Sequence, residues 1–258
     1  MNNSKYALIT GASEGLGKEF AIIAAQDGYN LILVARNEAK LNTISDSIVN
    51  LFNVDVRIIS LDLSKPNAAF ELFNQVESLG LHVSMLINNA GVGDKALFSE
   101  SDINKQFNMI QLNINTLTLL TRLFVTQMIA KKEGYILNIA STAAYLPGPR
   151  MSVYFASKAY VLSFTNALWY ELKGTNVNVT TLSPGATNTH FFKEANVGLS
   201  SNMQKVKANP KDVAQFGYTA LKQGKREVIY GFWNAISSKM TGFFPERLVM
   251  WVASRIIG

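Results

Sequence analysis

Thr10-Gly11-Ala12-Ser13-Glu14-Gly15-Leu16-Gly17 stands between an apolar tetrapeptide, Tyr6-Ala7-Leu8-Ile9, and a stretch of helical composition from Gly15 to Asp27. Glycines so closely spaced let the backbone turn sharply and let a ligand approach the main chain without a Cβ in the way. A strand, a glycine turn and a helix N-terminus in that order form an anion site, because exposed amides and the helix dipole both favour negative charge there. The context predicts a pyrophosphate-binding turn built from Gly11, Ser13, Gly15, Leu16 and Gly17.

Outward from that turn, short apolar runs alternate with longer helical stretches. Strands are predicted at 6–9, 31–34, 54–60, 85–88, 135–140, 177–182 and 228–230. Helices are predicted at 15–27 (with Gly28 closing the first), 38–51, 67–78, 101–130, 153–172 and 211–222. Almost wholly apolar strands separated by helices mean a parallel sheet buried on both faces. Right-handed crossovers then give an α/β, doubly wound Rossmann-type sheet of about seven strands, with helices on both sides. No composition break marks a boundary, so residues 1–258 are expected to form a single domain with 232–258 as a C-terminal helical tail. Thr187 to Asn209 reads as a polar loop, and His82 as a loop residue before the fourth strand.

Composition excludes several functions. Without cysteine there is no disulfide, thiolate metal site or cysteine nucleophile, and two histidines cannot make a three-histidine zinc centre. No metal is expected. The net charge is +6, yet only 16% of residues are charged and no basic stripe stands out, which argues against nucleic acid. The N-terminal residues show no signal-peptide pattern, and no uncharged apolar run is long enough to span a bilayer, so a cytoplasmic protein is expected.

The glycines are spaced G-x-x-x-G-x-G. Asn88-Asn89-Ala90-Gly91 closes the fourth strand, Ser141 ends the fifth, and Tyr154-x-x-x-Lys158 lies on the following helix. Together these motifs resemble the short-chain dehydrogenase/reductase family in its compact single-domain form, over residues 5 to 230. The resemblance implies a nicotinamide-dependent oxidoreductase with Asn113, Ser141, Tyr154 and Lys158 as its catalytic group. Tyr154 would be the general acid/base, and Ser141 would hold and polarise the carbonyl oxygen. Lys158 would hold the nicotinamide ribose, and Asn113, rather than the nearby Asn115, would support a water relay from the lysine. Asp62 and Leu63 would meet the adenine, Asn89, Ala90 and Gly91 would line the cofactor, and Pro184, Gly185, Thr187 and Thr189 would receive the carboxamide.

From the residues themselves, Tyr154 and Lys158 are four apart on a helix and share a face, and an ammonium near a phenol lowers its pKa. The second strand ends in Ala35 and Arg36, where an acidic residue would favour NAD(H). A guanidinium there suits a 2′-phosphate, so NADP(H) is expected over NAD(H). Glu14 is a departure, since many NADP-preferring relatives carry a basic residue at its place.

Loops at 92–96, 143–151 and 190–204 are the candidate substrate walls, and Tyr145, Leu146, Phe191 and Phe192 point to an apolar ketone or aldehyde. The segment 246–257 looks amphipathic. The tail could cover the pocket, pack against another subunit or lie on a membrane surface, with packing favoured over the membrane. Family resemblance implies a homodimer or homotetramer. The competing reading is a non-catalytic NADP(H)-binding sensor or scaffold, disfavoured because all four catalytic positions are filled.

Overall fold

The computed structural model describes residues 5–197 and 207–257. Seven strands, β1 (Lys5–Thr10), β2 (Asn30–Ala35), β3 (Val56–Ser60), β4 (His82–Asn88), β5 (Gly134–Ile139), β6 (Val177–Ser183) and β7 (Glu227–Ile229), form one sheet in the order β3-β2-β1-β4-β5-β6-β7. Every neighbouring pair is parallel. The chain runs outward from β1 to β3 and then returns to β4 beside β1. That reversal opens a crevice at the carboxyl ends of β1 and β4, where such sheets bind ligands.

The alternation of side chains along each strand explains the two cores. Ala7, Ile9, Leu31 and Leu33 face one side, with α1 (Gly15–Gln26), α2 (Glu38–Phe52) and α8 (Pro210–Lys222) packed on them. Tyr6, Leu8, Ile32 and Val34 face the other, under α3 (Ala68–Ser78), α5 (Leu117–Lys131) and part of α6 (Ser152–Glu171).

A polar ladder crosses the second core. Asn88 Nδ2 donates to Asn138 Oδ1 (2.9 Å) and Thr121 Oγ1 (3.0 Å), and Asn138 Nδ2 donates to Thr165 Oγ1 (2.9 Å). Asn88 and Asn138 are paired in the β4–β5 register, so a slip of one residue would leave several buried polar groups unpaired.

Three expectations are refined. The long helix expected over 101–130 is α4 (Ile103–Ile110), a π-helical turn over Gln111–Thr116, and α5. His82 is the first residue of β4, not a loop residue, and its Nε2 lies 3.0 Å from Glu133 Oε1. The stretch expected as a loop over 187–209 contains a short helix, α7 (Phe191–Glu194), and a bridge between Thr187 and Ala208. Its middle, including part of the candidate substrate wall 190–204, lies outside the described residues. The tail forms α9 (Phe232–Met240), a 3₁₀ turn over Thr241–Phe243, and α10 (Glu246–Ile257). Among the described residues, no helix is long and apolar enough to cross a membrane, and no cluster of side chains could hold a metal ion.

Candidate active site

Steric crowding shapes the turn after β1. Gly11 and Gly15 have φ of +66° and +55°, in the left-handed region. A Cβ on Gly11 would lie 2.8 Å from Asn89 Nδ2, and one on Gly17 would collide with the Gly11 carbonyl oxygen. Asn89 Nδ2 donates to the carbonyl oxygens of Thr10 (2.9 Å) and Gly11 (3.2 Å). Thr10 Oγ1 in turn accepts from the amides of Asn89 and Ala90, both at 3.0 Å. The turns after β1 and β4 are therefore one hydrogen-bonded unit at the switch point.

A single cavity of about 2200 Å³ runs along this edge of the sheet. Its wall includes Gly11, Ser13, Gly15, Leu16, Arg36, Asp62, Leu63, Asn89, Ala90 and Gly91. Ser141, Tyr154, Lys158, Pro184, Gly185, Thr187 and Thr189 complete the sequence-selected residues on it. Gly17 and Asn113 stand behind the wall. Gly17 lets α1 close on the Gly11 carbonyl, and Asn113 is buried.

At one end, Asp62 accepts from the amide and hydroxyl of Ser64 (3.1 and 2.7 Å). Burial pushes its pKa up, but those bonds and the charges of Arg36 and Lys65 prevail and hold the carboxyl below its ordinary range. Leu63 is fixed through its carbonyl, which accepts from Thr116 Oγ1 at 2.8 Å. Glu14 Oε2 accepts from Lys40 Nζ at 2.7 Å and lies 3.1 Å from His190 Nδ1.

In the middle, Ser141 caps a 3₁₀ turn over Thr142–Tyr145, its Oγ accepting from Ala143 N at 3.1 Å. Tyr154 and Lys158 are both buried on one face of α6. Lys158 Nζ donates to the Ile139 carbonyl at 2.9 Å and lies 5.8 Å from the Tyr154 ring centroid. Burial, rather than the lysine, sets the phenol. It pushes Tyr154 up to about 12, against the downward pull of the hydrogen-bonded Ser141 hydroxyl. The same burial pushes Lys158 down to about 8.

The π-helical turn aims Asn113 inward. Its Nδ2 donates to Val92 O (2.9 Å) and Ser157 Oγ (3.1 Å), and its Oδ1 accepts from Val92 N (3.0 Å). Asn115 instead donates to Gln111 on the exposed side. A Cβ on Gly91 would sit 3.3 Å from Asn113 Oδ1 and 3.4 Å from Lys158 Nζ, so these three positions converge.

At the far end the wall is apolar. Met109, Ala143 and Met151 cluster with Tyr154, and the Phe191 ring lies 5.2 Å from the tyrosine ring. Trp233, Phe244, Leu248 and Val252 extend the wall, so the tail lines the pocket. Asn234 packs against Gly185, and Thr241 Oγ1 donates to the Tyr145 carbonyl at 2.9 Å. The Tyr145 side chain, expected at the substrate, turns away to Glu227 Oε1 (2.7 Å) and Ser183 Oγ (3.2 Å). Leu146, Phe191 and Phe192 do line the cavity.

The sequence reading missed the wall residues Met109 and Lys40, which carry no motif, whereas Asp94 falls within the expected wall 92–96. Asp94 is buried and accepts from Lys105 Nζ and Gln106 Nε2, both at 3.3 Å. The amphipathic pattern of 246–257 was the available signal for the tail's contribution.

Sheet order, crevice and glycine turn together define a Rossmann-type protein with an oxidoreductase-like site. Residues 5–199 match the model of the short chain dehydrogenase family, and the chain belongs to that family. It is 30% identical over 257 residues to a very-long-chain 3-oxoacyl-CoA reductase of Phaeosphaeria nodorum, covering 98% of this chain and 72% of the relative. It is 32% identical over 194 residues to 17-beta-hydroxysteroid dehydrogenase type 3 of Mus musculus, covering 74% of this chain and 63% of the relative. A human relative named inactive hydroxysteroid dehydrogenase-like protein 1 is 28% identical over 253 residues, covering 97% and 75%. Among solved structures, a 7beta-hydroxysteroid dehydrogenase superposes with a TM-score of 0.88 at 26% identity, covering 96% of each chain. Family members have been solved with NADPH (Sphingobium yanoikuyae, TM-score 0.82, 25% identity, covering 93% and 94%) and with NAD (Burkholderia phymatum, 0.83, 26%, covering 93% of each).

Proposed function

We propose that the protein reduces a bulky apolar ketone to a secondary alcohol with NADPH, using Tyr154 as general acid. The observation that carries this reading is the single cavity, with cations at one end, apolar walls at the other and Ser141, Tyr154 and Lys158 between. Its roughly 2200 Å³ exceeds the roughly 300–1,000 Å³ of an ordinary ligand pocket, which leaves room for a dinucleotide and a large substrate together. The residues fit the dinucleotide. The glycine turn presents main chain rather than side chains, and Ala35 and Arg36 replace the acidic residue that would favour NADH.

A bound nicotinamide supplies the hydride. Ser141 donates to the substrate oxygen and polarises the carbonyl. Tyr154, its pKa pushed up to about 12, holds its proton at neutral pH and releases it as the oxygen gains charge. Lys158, at about 8, is still mostly cationic at pH 7 and offsets the phenolate left behind. Asn113 braces the Val92 backbone and Ser157, so it positions the strand-end loop and the tyrosine helix. The names of the acyl and steroid relatives support a bulky ketone as substrate. All four catalytic positions are filled, which supports a catalyst over a sensor. An exposed apolar stripe on α4, Ile103, Phe107 and Ile110, supports self-association through that helix. A monomer by sedimentation would refute that association.

The test is NADPH consumption by purified protein with long-chain 3-oxoacyl-CoA esters, steroid ketones and small ketones, and with Tyr154→Phe as control. Turnover that favours the bulky ketones and vanishes in the control is expected. Tight NADPH binding without turnover on any of them would favour the sensor.

A further inference from the structure

The amides and dipole of this turn favour anions, but a carboxylate beside it repels the phosphates of a dinucleotide bound there. Glu14 is nevertheless there, lines the cavity and is held on two sides. Lys40 Nζ, from the first turn of α2, donates to its Oε2 at 2.7 Å, and His190 Nδ1 lies 3.1 Å from the same oxygen. Burial pushes the Glu14 pKa up, but Lys40 and His190 outweigh it, so the group is held below its ordinary value and stays ionised. Lys40 and Arg36 both line this corner, and the Asn37 side chain fixes the start of α2 by accepting from Lys40 N at 2.9 Å. The corner therefore carries two cations, one of which is already engaged by an internal anion.

We infer that Lys40 is the second cation for the 2′-phosphate of NADPH, and that Glu14 is the internal anion it leaves to make that contact. The inference rests on the NADPH reading above. A phosphate dianion competes better for an ammonium than a single carboxylate does, and Glu14 keeps His190 when Lys40 departs. NADH has no 2′-phosphate and leaves the Glu14–Lys40 pair intact. Glu14 thus weakens NADPH binding and leaves NADH binding alone, tuning the preference from inside the turn.

The test is titration of NADPH and NADH by their fluorescence, with no substrate present, on the full chain and four variants. Lys40→Met should weaken NADPH binding about tenfold, as expected for one charge-assisted contact, with NADH within about twofold. Glu14→Gln should tighten NADPH binding about threefold and leave NADH unchanged, because it frees a partly exposed lysine. In the double variant the gain from Glu14→Gln should vanish, since it acts only through Lys40. Unchanged melting temperatures keep folding out of the comparison. Equal NADPH and NADH affinities in the unaltered protein, unaffected by Arg36→Ala, would overturn the cofactor reading and the exchange with it. An NADPH preference that Arg36→Ala abolishes but Lys40→Met leaves intact would overturn the exchange alone. So would a Glu14→Gln variant that binds NADPH more weakly, or a gain that persists in the double variant.

Discussion

The two ends of the cavity are built from different material. The polar end consists of turns at the strand tips, cross-tied by Thr10, Asn89 and the glycine carbonyls. The apolar end is made from pieces outside the sheet, namely α4, the segment from the 3₁₀ turn of Thr142–Tyr145 to Met151, α7 and the helices after β7, and Thr241 ties the tail to the body through the Tyr145 carbonyl. The first end has little freedom, because changing one residue disturbs the switch point of the whole sheet. The second can change shape with little cost to the sheet. A protein so divided can keep one cofactor and vary its substrate.

Four experiments break or sharpen that contrast. Tyr154→Phe removes the proton donor between the two ends, and general acid catalysis is worth roughly 10²–10⁴-fold. Turnover should fall by about that factor while NADPH affinity, measured by fluorescence, stays put.

Lys158→Met should be inactive and yet more stable. The buried lysine's pKa is lowered from 10.5 to about 8, so the native state below about pH 8 carries a charge that burial disfavours. This cost is fully present below pH 8 and disappears as pH rises toward 10.5. Its size is on the order of 3 kcal/mol, reduced by the unpaired Ile139 carbonyl the substitution leaves. Melting curves at pH 7 and pH 10 should show a gain at the lower pH that shrinks at the higher.

Leu248→Asp places a carboxylate in the apolar wall. The KM for bulky ketones should rise about tenfold, comparable to losing a large apolar contact, with small ketones and NADPH affinity unaffected. An equal rise for small ketones would mean the tail shapes both ends.

The smallest effect belongs at the opposite edge of the sheet, where Glu133 accepts from Lys5 at 2.6 Å and meets His82 at 3.0 Å. The Lys5 bond first, and then His82, holds its pKa below the ordinary value of 4.5. A depressed carboxyl stabilises the fold above its unfolded pKa and loses that contribution as pH falls through the folded one. In urea melts, Glu133→Gln should therefore cost less than about 1 kcal/mol at pH 7, as expected for a half-exposed pair, and progressively less as pH falls below the ordinary carboxylate range.

The same division explains what could be read from sequence. Strands β1, β2, β4, β5 and β6 declare themselves by apolar runs, and the glycine turn by residues with a single physical use. The polar site residues lie at fixed offsets from strand ends, so strand and motif together place them on one wall. Arg36 was legible because it replaces an expected acid. The apolar end was not legible in this way. Met109 reaches the cavity by packing of a distant helix, with nothing local to distinguish it from a core residue, and only the amphipathic pattern of 246–257 hints at Leu248 and Val252. Tyr145 misled because an aromatic after β5 reads as a substrate contact, whereas Glu227, 82 positions away, accepts its hydroxyl. Lys40 escaped notice because a lysine in a first helical turn normally points to solvent.

The π-helical turn at Gln111–Thr116 sets an insertion–deletion rule for this chain. A π turn holds one residue more than the α-helix it interrupts. Deleting any one residue from it would let α4 and α5 wind as a single regular helix, a change that most helices would not survive unmarked. Because the wide turn absorbs that residue, the deletion would leave α4 and α5 close to their present phase and would instead re-aim the side chains within the turn. Asn113 would leave Val92 and Ser157. The surplus residue is thus what aims Asn113, and length polymorphism should be excluded from these six positions though the helix itself would tolerate it.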